Sequence, residues 1–252
     1  MDPKHSSTLR RNLASVKKSI DAARRYSPHA ASEVTIVAVT KHVDAAMADA
    51  IIQAGVSDIG ENRLQVALPK FAAMRERPRR HLIGSLQSNK VRVALTVFDC
   101  VHSLDRLSLA EQLHRYLTTE SHRPFPCFLQ VNTSGERQKH GIRPDETLST
   151  VKQITTTCAK IHLVGLMTMA AENVDAQAAR PCFRLLREIR DDLVRAGLPC
   201  CALSMGMSND FPIAVEEGAT HVRIGSALFS GVAAVTSHVK RGSGVTDSGC
   251  RE

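Results

Sequence analysis

The chain is 252 residues and 27.5 kDa, 43% hydrophobic and 23% charged, with a formal net charge of +8 and a mean hydropathy of −0.13. This composition belongs to a globular protein with apolar residues enough for a real core, and it excludes an overall disordered, collagenous or coiled-coil chain. No stretch approaches the roughly 18 apolar residues of a membrane span, and Met1 to Arg25 alternates charges where an export signal would be apolar, so a cytoplasmic protein without membrane contact is expected.

Residues 1–30 open with a basic amphipathic helix over 8–27, expected to pack on the domain downstream of it. From Ser32 onward, short apolar or β-branched runs alternate with amphipathic stretches long enough to cross back over a sheet, the pattern of parallel β/α architecture. The runs are Val34 to Thr40, Asp58 to Gly60, His81 to Ser85, Phe98 to Ser103, Cys127 to Asn132, Ile161 to Met167, Cys201 to Ser204 and His221 to Ile224. The first and sixth are almost continuously apolar, as strands covered on both faces require. Between the runs, Asp44 is a helix N-cap and Gly55 the stop of the same helix. Asp105 opens Arg106 to Leu117, Pro144 stands near the start of Asp145 to Cys158, and Gln177 to Ala196 runs into Gly197-Leu-Pro199. These strands close most economically into one α/β domain, a single (β/α)8 TIM-type barrel over 31–236, with an open doubly wound sheet as the alternative. The polar, Gly/Ser-rich stretch 237–252 is expected to be a flexible tail.

The charge is uneven: residues 1–30 carry +5, 31–62 carry −4, 63–92 carry +7, and the remainder balances. The leading helix and a connecting segment such as Arg75 to Arg80 account for the excess as solvated surface. With no Trp, two Tyr and seven Phe, base-stacking platforms are scarce, so a nucleic-acid partner is not expected. The seven cysteines form no C-x-x-C and read as reduced thiols, mostly core filler. The eleven histidines show no H-E-x-x-H, and no metal site is expected.

Reactive groups of a parallel barrel lie at the C-terminal ends of strands and in the loops after them. That rule selects Thr40-Lys41, Gly60-Glu61-Asn62, Gly84-Ser85, Asn132 to Gly141, Met167 to Met169, Ser204 to Asp210 and Gly225-Ser226. Barrels commonly hold a phosphate between the loops after strands seven and eight. Here Gly206 and Gly225 allow close backbone approach, Ser204, Ser208 and Ser226 offer hydroxyls, and Ser226 to Phe229 makes one helical turn with free N–H groups. From the loops alone, ordinary turns with an N-capping Ser208 read equally well. Lys41 likewise has two readings: an amine partly desolvated at the mouth and so nucleophilic toward a carbonyl, or a surface lysine past a strand end. Neither G-x-x-x-x-G-K-[ST] nor G-x-G-x-x-G occurs, which disfavours ATP and dinucleotides. A lysine across the mouth from an anion cradle suits pyridoxal phosphate, an aldehyde with a dianionic handle.

Seven segments in order, over about residues 8–231, resemble the pyridoxal phosphate homeostasis protein family. They are Ala38-Val-Thr-Lys41, Gly60-Glu-Asn62, His81-Leu-Ile-Gly-Ser-Leu-Gln-Ser-Asn-Lys90, Gln130-Val-Asn-Thr-Ser-Gly-Glu136, Gly165-Leu-Met167, Leu203-Ser-Met-Gly-Met-Ser-Asn-Asp210 and Val222-Arg-Ile-Gly-Ser226. The third, sixth and seventh together are highly specific. The resemblance implies the barrel of the alanine racemase N-terminal domain (fold type III) without a C-terminal β-domain, and a cytoplasmic, monomeric carrier of pyridoxal 5'-phosphate that serves cofactor-dependent apoenzymes. It also implies that Lys41 forms the internal aldimine (a Schiff base), that Ser204 to Ser208 and Gly225-Ser226 hold the phosphate, and that Arg223 faces the pyridine nitrogen. His81 and Asn62 point to the mouth by strand position, as cofactor contacts or as hydrogen-bonded lining. A cation beside that nitrogen disfavours the pyridinium and weakens the ring as an electron sink. A racemase of this fold needs a second acid/base, a tyrosine in alanine racemases, and neither Tyr26 nor Tyr116 is placed to serve. The rival readings are a fold type III racemase or lyase using a loop residue such as His42, and an RNA-binding role for 4–25 and 63–92. Arg80, Arg63 and Thr40 depart from the family's usual Trp, Tyr and Ser, and Lys90 and Lys139 match its common lysines, Lys139 as a second cofactor contact or an exposed loop lysine.

Overall fold

In the computed structural model, which describes residues 3–120, 123–136, 138–170 and 175–232, the chain opens with helix α1 (Pro3–Arg25). Leu9, Leu13, Val16, Ile20 and Ala23 recur every three or four residues and are buried, so one stripe of α1 packs onto the barrel while its lysines and arginines face solvent. Strand and helix then alternate: β1 (Thr35–Val39), α2 (Ala45–Gln53), β2 (Asp58–Glu61), α3 (Leu64–Ala73), β3 (Arg79–Leu82), α4 (Val91–Val97), β4 (Cys100–Leu104) and α5 (Leu107–Glu120). Next come β5 (Phe125–Gln130), α6 (Thr147–Thr157), β6 (Ile161–Met167), α7 (Arg180–Arg195), β7 (Ala202–Ser204), α8 (Phe211–Glu216), β8 (His221–Ile224) and α9 (Ser226–Phe229). All strand pairs are parallel, and β1 pairs with both β2 and β8, closing an eight-stranded barrel in chain order.

The local chemistry behind the boundaries is that read from the sequence. The Asp44 carboxylate accepts the Met47 N–H at 2.8 Å and starts α2, and Gly55, at φ +109°, takes the left-handed turn that ends it. Two glycines are demanded by strand closeness: a Cβ at Gly165 would lie 2.0 Å from the Ala202 carbonyl oxygen, and one at Gly84 would lie 2.2 Å from that of Asn62. Alternate strand residues face opposite ways. Ala38, Ile59, Leu82, Val101, Leu129, Leu166, Leu203, Val222 and Ile224 turn outward into a continuous apolar shell under the helices. Inside, Cys100, Phe128 and Met167 form a second, small cluster with Val164, Met169 and Ala202.

Two expectations are corrected. The stretch 63–92 is not merely solvated connection: Leu64, Ala67 and Phe71 build the buried face of α3 despite Pro69, and Lys70 is itself buried. The segment after it is tied down by Asp49, whose carboxylate accepts the N–H groups of Arg75 and Glu76 at 3.0 Å, and the Arg80 guanidinium stacks 4.8 Å from the Phe71 ring centre. Second, β3 begins at Arg79, two residues before the expected start, which puts His81 in mid-strand. The expected tail at 237–252 lies outside the described residues.

Candidate functional site

At the end of β1 the backbone is pinned before Lys41 is reached. The Thr40 N–H donates to the Gly60 carbonyl at 3.1 Å, its hydroxyl donates to Glu61 Oε1 at 2.6 Å, and Lys70 Nζ donates to both the Thr40 carbonyl and Glu61 Oε1 at 2.5 Å. The Glu61 carboxylate is fully buried and its Oε2 has no hydrogen-bond partner among the described residues. This ion pair, under α3, is a clamp on the residue preceding Lys41. Lys41 itself is exposed, so the expected partial desolvation of its side chain is not seen. Asn62, half-buried, stands beside it on the next strand end, its carbonyl against Gly84.

The loops after β7 and β8 meet next to this strand end, because β8 pairs with β1 in the register Val37 to Arg223 and Ala38 to Ile224. The Ser208 hydroxyl accepts the N–H groups of Gly225 at 3.2 Å and Ala227 at 3.3 Å, at the start of α9. Asp210 closes the loop by accepting the Met207 N–H at 2.5 Å. Gly206, at φ +91°, has no room for a Cβ, which would lie 2.6 Å from Ala214 Cβ. Gly225 differs: a Cβ there would find nothing nearer than Val39 Cβ at 3.5 Å. Packing alone does not forbid a side chain there, and the turn lies against the end of β1, two residues before Lys41. The exposed Ser226 completes the turn.

Ser204 and His81 lie deeper than this turn, His81 as the hydrogen-bonded lining that was one of its two readings. They belong to a chain of hydrogen bonds through the barrel lumen. Asp58 Oδ1 meets His81 Nε2, His81 Nδ1 meets His102 Nε2, and His102 Nδ1 meets Ser204 Oγ, each at 2.8 Å. Arg223 Nη1 donates to the same Ser204 oxygen at 2.8 Å, and Nη2 donates to the Thr168 carbonyl at 2.8 Å. Ser204 and His81 are fully buried, so neither hydroxyl nor ring reaches the Ser208–Gly225 turn or opens to the mouth. Phe128 flanks the line, its ring centre 4.3 Å from that of His102 and 5.0 Å from that of His221.

Burial sets the electrostatics here. It drives His102 well below the usual imidazole range, helped by the His81, Arg223 and His221 charges, and takes His221 down to about 4. Burial also lowers Arg223 to about 10, against which the Asp210 carboxylate pushes upward. For Asp58 burial alone would raise the pKa, but hydrogen bonds from His81 and Ser57 and the charges of His81 and Arg79 together hold it below the carboxylate range. Ligand atoms of His81, Cys100 and His102 lie within 4.8 Å of one another, yet all four ring nitrogens are already bonded and burial raises the Cys100 thiol to about 12. That donor set is committed to the hydrogen-bond line, and its sulfur stays protonated.

Asp58, His102 and Lys70 are the residues that the strand-end rule missed. A signal existed: Asp58, Arg79 with His81, Cys100 with His102, and His221 with Arg223 put polar groups on one face of short strands, where an apolar lumen would carry none. The other candidates lie apart. His42 is exposed, Tyr26 is 86% exposed after α1, and Tyr116 sits on α5 against the outer shell. Lys90 is half-buried at the start of α4, and Lys139 pairs with Glu136 at 2.5 Å while donating to the Ala170 carbonyl at 2.9 Å. No helix among the described residues is long and apolar enough to cross a membrane.

Residues 11–232 match the family described as alanine racemase, N-terminal domain. The pyridoxal phosphate homeostasis protein of Pseudomonas aeruginosa is 38% identical over 224 residues, covering 88% of this chain and 95% of the relative. A crystal structure of a protein from Bifidobacterium adolescentis superimposes with a TM-score of 0.83 at 35% identity, over 91% of this chain and 97% of that one. PipY of Synechococcus elongatus, solved with pyridoxal phosphate bound, gives a TM-score of 0.75 at 32% identity over 88% and 99%. With its closed barrel, its clamped lysine-bearing strand end and its serine–glycine turn, the chain belongs to the pyridoxal phosphate homeostasis protein family, built on the alanine racemase N-terminal domain.

Proposed function

We propose that the chain is an intracellular pyridoxal 5'-phosphate carrier, holding the cofactor reversibly at the barrel mouth for release to cofactor-dependent apoenzymes. The observation that carries this reading is the Ser208–Gly225 turn, which packs against Val39 at the end of β1, two residues before Lys41. A small anion would be held there by the Ser208 and Ser226 hydroxyls and by the N–H groups of the turn, Gly225 and Ala227, that Ser208 now accepts. When bound, pyridoxal phosphate supplies an aldehyde that a primary amine captures reversibly and a ring that withdraws electrons.

Lys41 would supply that amine to a cofactor held at the turn, with water as the leaving group. Its exposure suits a carrier, since hydrolysis and exchange with outside amines need access to the bond. Asn62 lines the same rim. Arg223, buried and held by Ser204 and Thr168, stands two residues before Gly225 on β8, and would face the pyridine nitrogen of a cofactor held at that turn. Fixed there as a cation, it keeps that nitrogen unprotonated and the ring a weak electron sink. Tyr26 and Tyr116 lie outside the barrel, so no tyrosine of this chain serves as the second acid/base of a racemase. The carrier acts as a monomer.

The test is incubation with pyridoxal phosphate, borohydride reduction and peptide mass spectrometry. One pyridoxyl group on Lys41, absent from Lys41→Ala, is expected; attachment only at other lysines, or none, overturns the assignment. Deuterium wash-in at the α-carbon of amino acids should not exceed that of free cofactor, and wash-in above it favours the racemase or lyase reading.

A further inference from the structure

The polar line through the lumen connects the two ends of the barrel. Asp58 opens β2 at the N-terminal end and is 7% exposed, whereas Ser204 closes β7 and Thr168 follows β6 at the C-terminal end. His81 and His102, both fully buried, bridge the interval.

Following the hydrogens gives the line a direction. A carboxylate only accepts, so His81 Nε2 carries the hydrogen that Asp58 receives. With the His81 ring neutral, its Nδ1 accepts, His102 donates from Nε2 and accepts at Nδ1, and the Ser204 hydroxyl donates to that nitrogen. The Ser204 oxygen then offers its lone pairs to Arg223 Nη1. Every hydrogen points from the mouth toward Asp58 and finds an acceptor.

We propose that Asp58, His81, His102 and Ser204 are positioning residues for Arg223, a one-way hydrogen-bond relay that fixes the guanidinium. The inference rests on the reading of Arg223 as the group facing the pyridine nitrogen, and it assigns Ser204 to that cation instead of to the phosphate. Ser204 Oγ and the Thr168 carbonyl are two fixed acceptors for one guanidinium, so losing the first frees it to turn. The other groups facing the line are Arg79 on β3, Cys100 on β4, His221 on β8 and Asp210 in the loop after β7. His221 Nδ1 is bonded to the Thr220 hydroxyl, 2.9 Å away.

The first measurement uses the protein without cofactor: nitrogen NMR of its histidine rings at neutral pH. His102 protonated at Nε2 alone is expected, and an Nδ1–H tautomer overturns the direction of the relay. The second follows the visible spectrum of the pyridoxal phosphate complex against pH. Ser204→Ala should move the midpoint of the spectral change by about one pH unit, and Ser204→Thr, which keeps the hydroxyl, should restore it. His102→Phe should move it alike, with no further movement in the double variant. A midpoint unmoved in Ser204→Ala, or a spectrum indifferent to pH, overturns the positioning of Arg223 through Ser204 even where His102→Phe does not fold. A parent protein with no cofactor band sinks the carrier reading instead, and the NMR result still decides the relay.

Discussion

The outer and inner faces of the same eight strands obey different rules. Outside, Ala38, Ile59, Leu82, Val101, Leu129, Leu166, Leu203 and Val222 pack under the helices with only apolar contacts, and each contributes through area removed from water. Inside, Asp58, His81, His102, Ser204 and Arg223 share a confined space with Cys100, Phe128 and Met167, and each polar atom there depends on one particular neighbour. An apolar shell tolerates substitution in proportion to volume, whereas a hydrogen-bonded lumen loses several partners when one is removed. Stability and site chemistry are therefore separated by the thickness of one strand.

The comparison can be broken or sharpened by experiment. The largest loss is expected at the clamp under α3: Glu61→Gln leaves Lys70 buried without a countercharge and should cost about 3 to 5 kcal/mol, read as a drop in the urea midpoint. His102→Phe comes second, since it strands His81 and Ser204 and should cost about 2 to 4 kcal/mol, roughly 1 to 2 for each group left without its partner. A cost near zero would mean that the lumen behaves like the shell. Acid should act on the lumen first. His102 and His221 hold folded pKa values below the free imidazole value, so the unfolded chain binds protons that the folded one does not. Their stabilisation declines as pH falls below about 6.5 toward the folded values, by about 2 kcal/mol for His221 between pH 7 and pH 5, and in the same direction for His102. A Tm unchanged over that range would contradict the burial assigned to these rings. Asp58 has the same sign but acts only below about pH 4. The smallest effect belongs to the shell: Leu109→Met, a volume-conserving change at a fully buried position of α5, should cost less than about 1.5 kcal/mol and leave cofactor uptake unchanged.

Much of this was legible before any coordinates. The β/α alternation, the Asp44 cap, the Gly55 stop and the one-turn helix at Ser226 are local signals, and each falls where the sequence places it. The mouth was legible because strand ends in a parallel barrel share one rim. The bonds that Ser204 and His81 make in the lumen were not legible for a reason of the same kind: a strand-end rule does not know which alternate residue turns inward. Lys70 was hidden in a basic stretch because charge counts register its sign but not the Glu61 beside which it folds.

Sequence alone determined the element order, the closed barrel as the economical way to bury eight strands, and the family to which the motifs belong. Only the tertiary structure decided which polar residues meet. His81 and His102 are 21 residues apart and His102 and Ser204 are 102 apart, and no periodicity relates them. His81 and His102 become neighbours because β3 pairs with β4 and both side chains turn inward, and His102 reaches Ser204 because barrel closure brings β4 and β7 together across a lumen narrow enough for direct bonding.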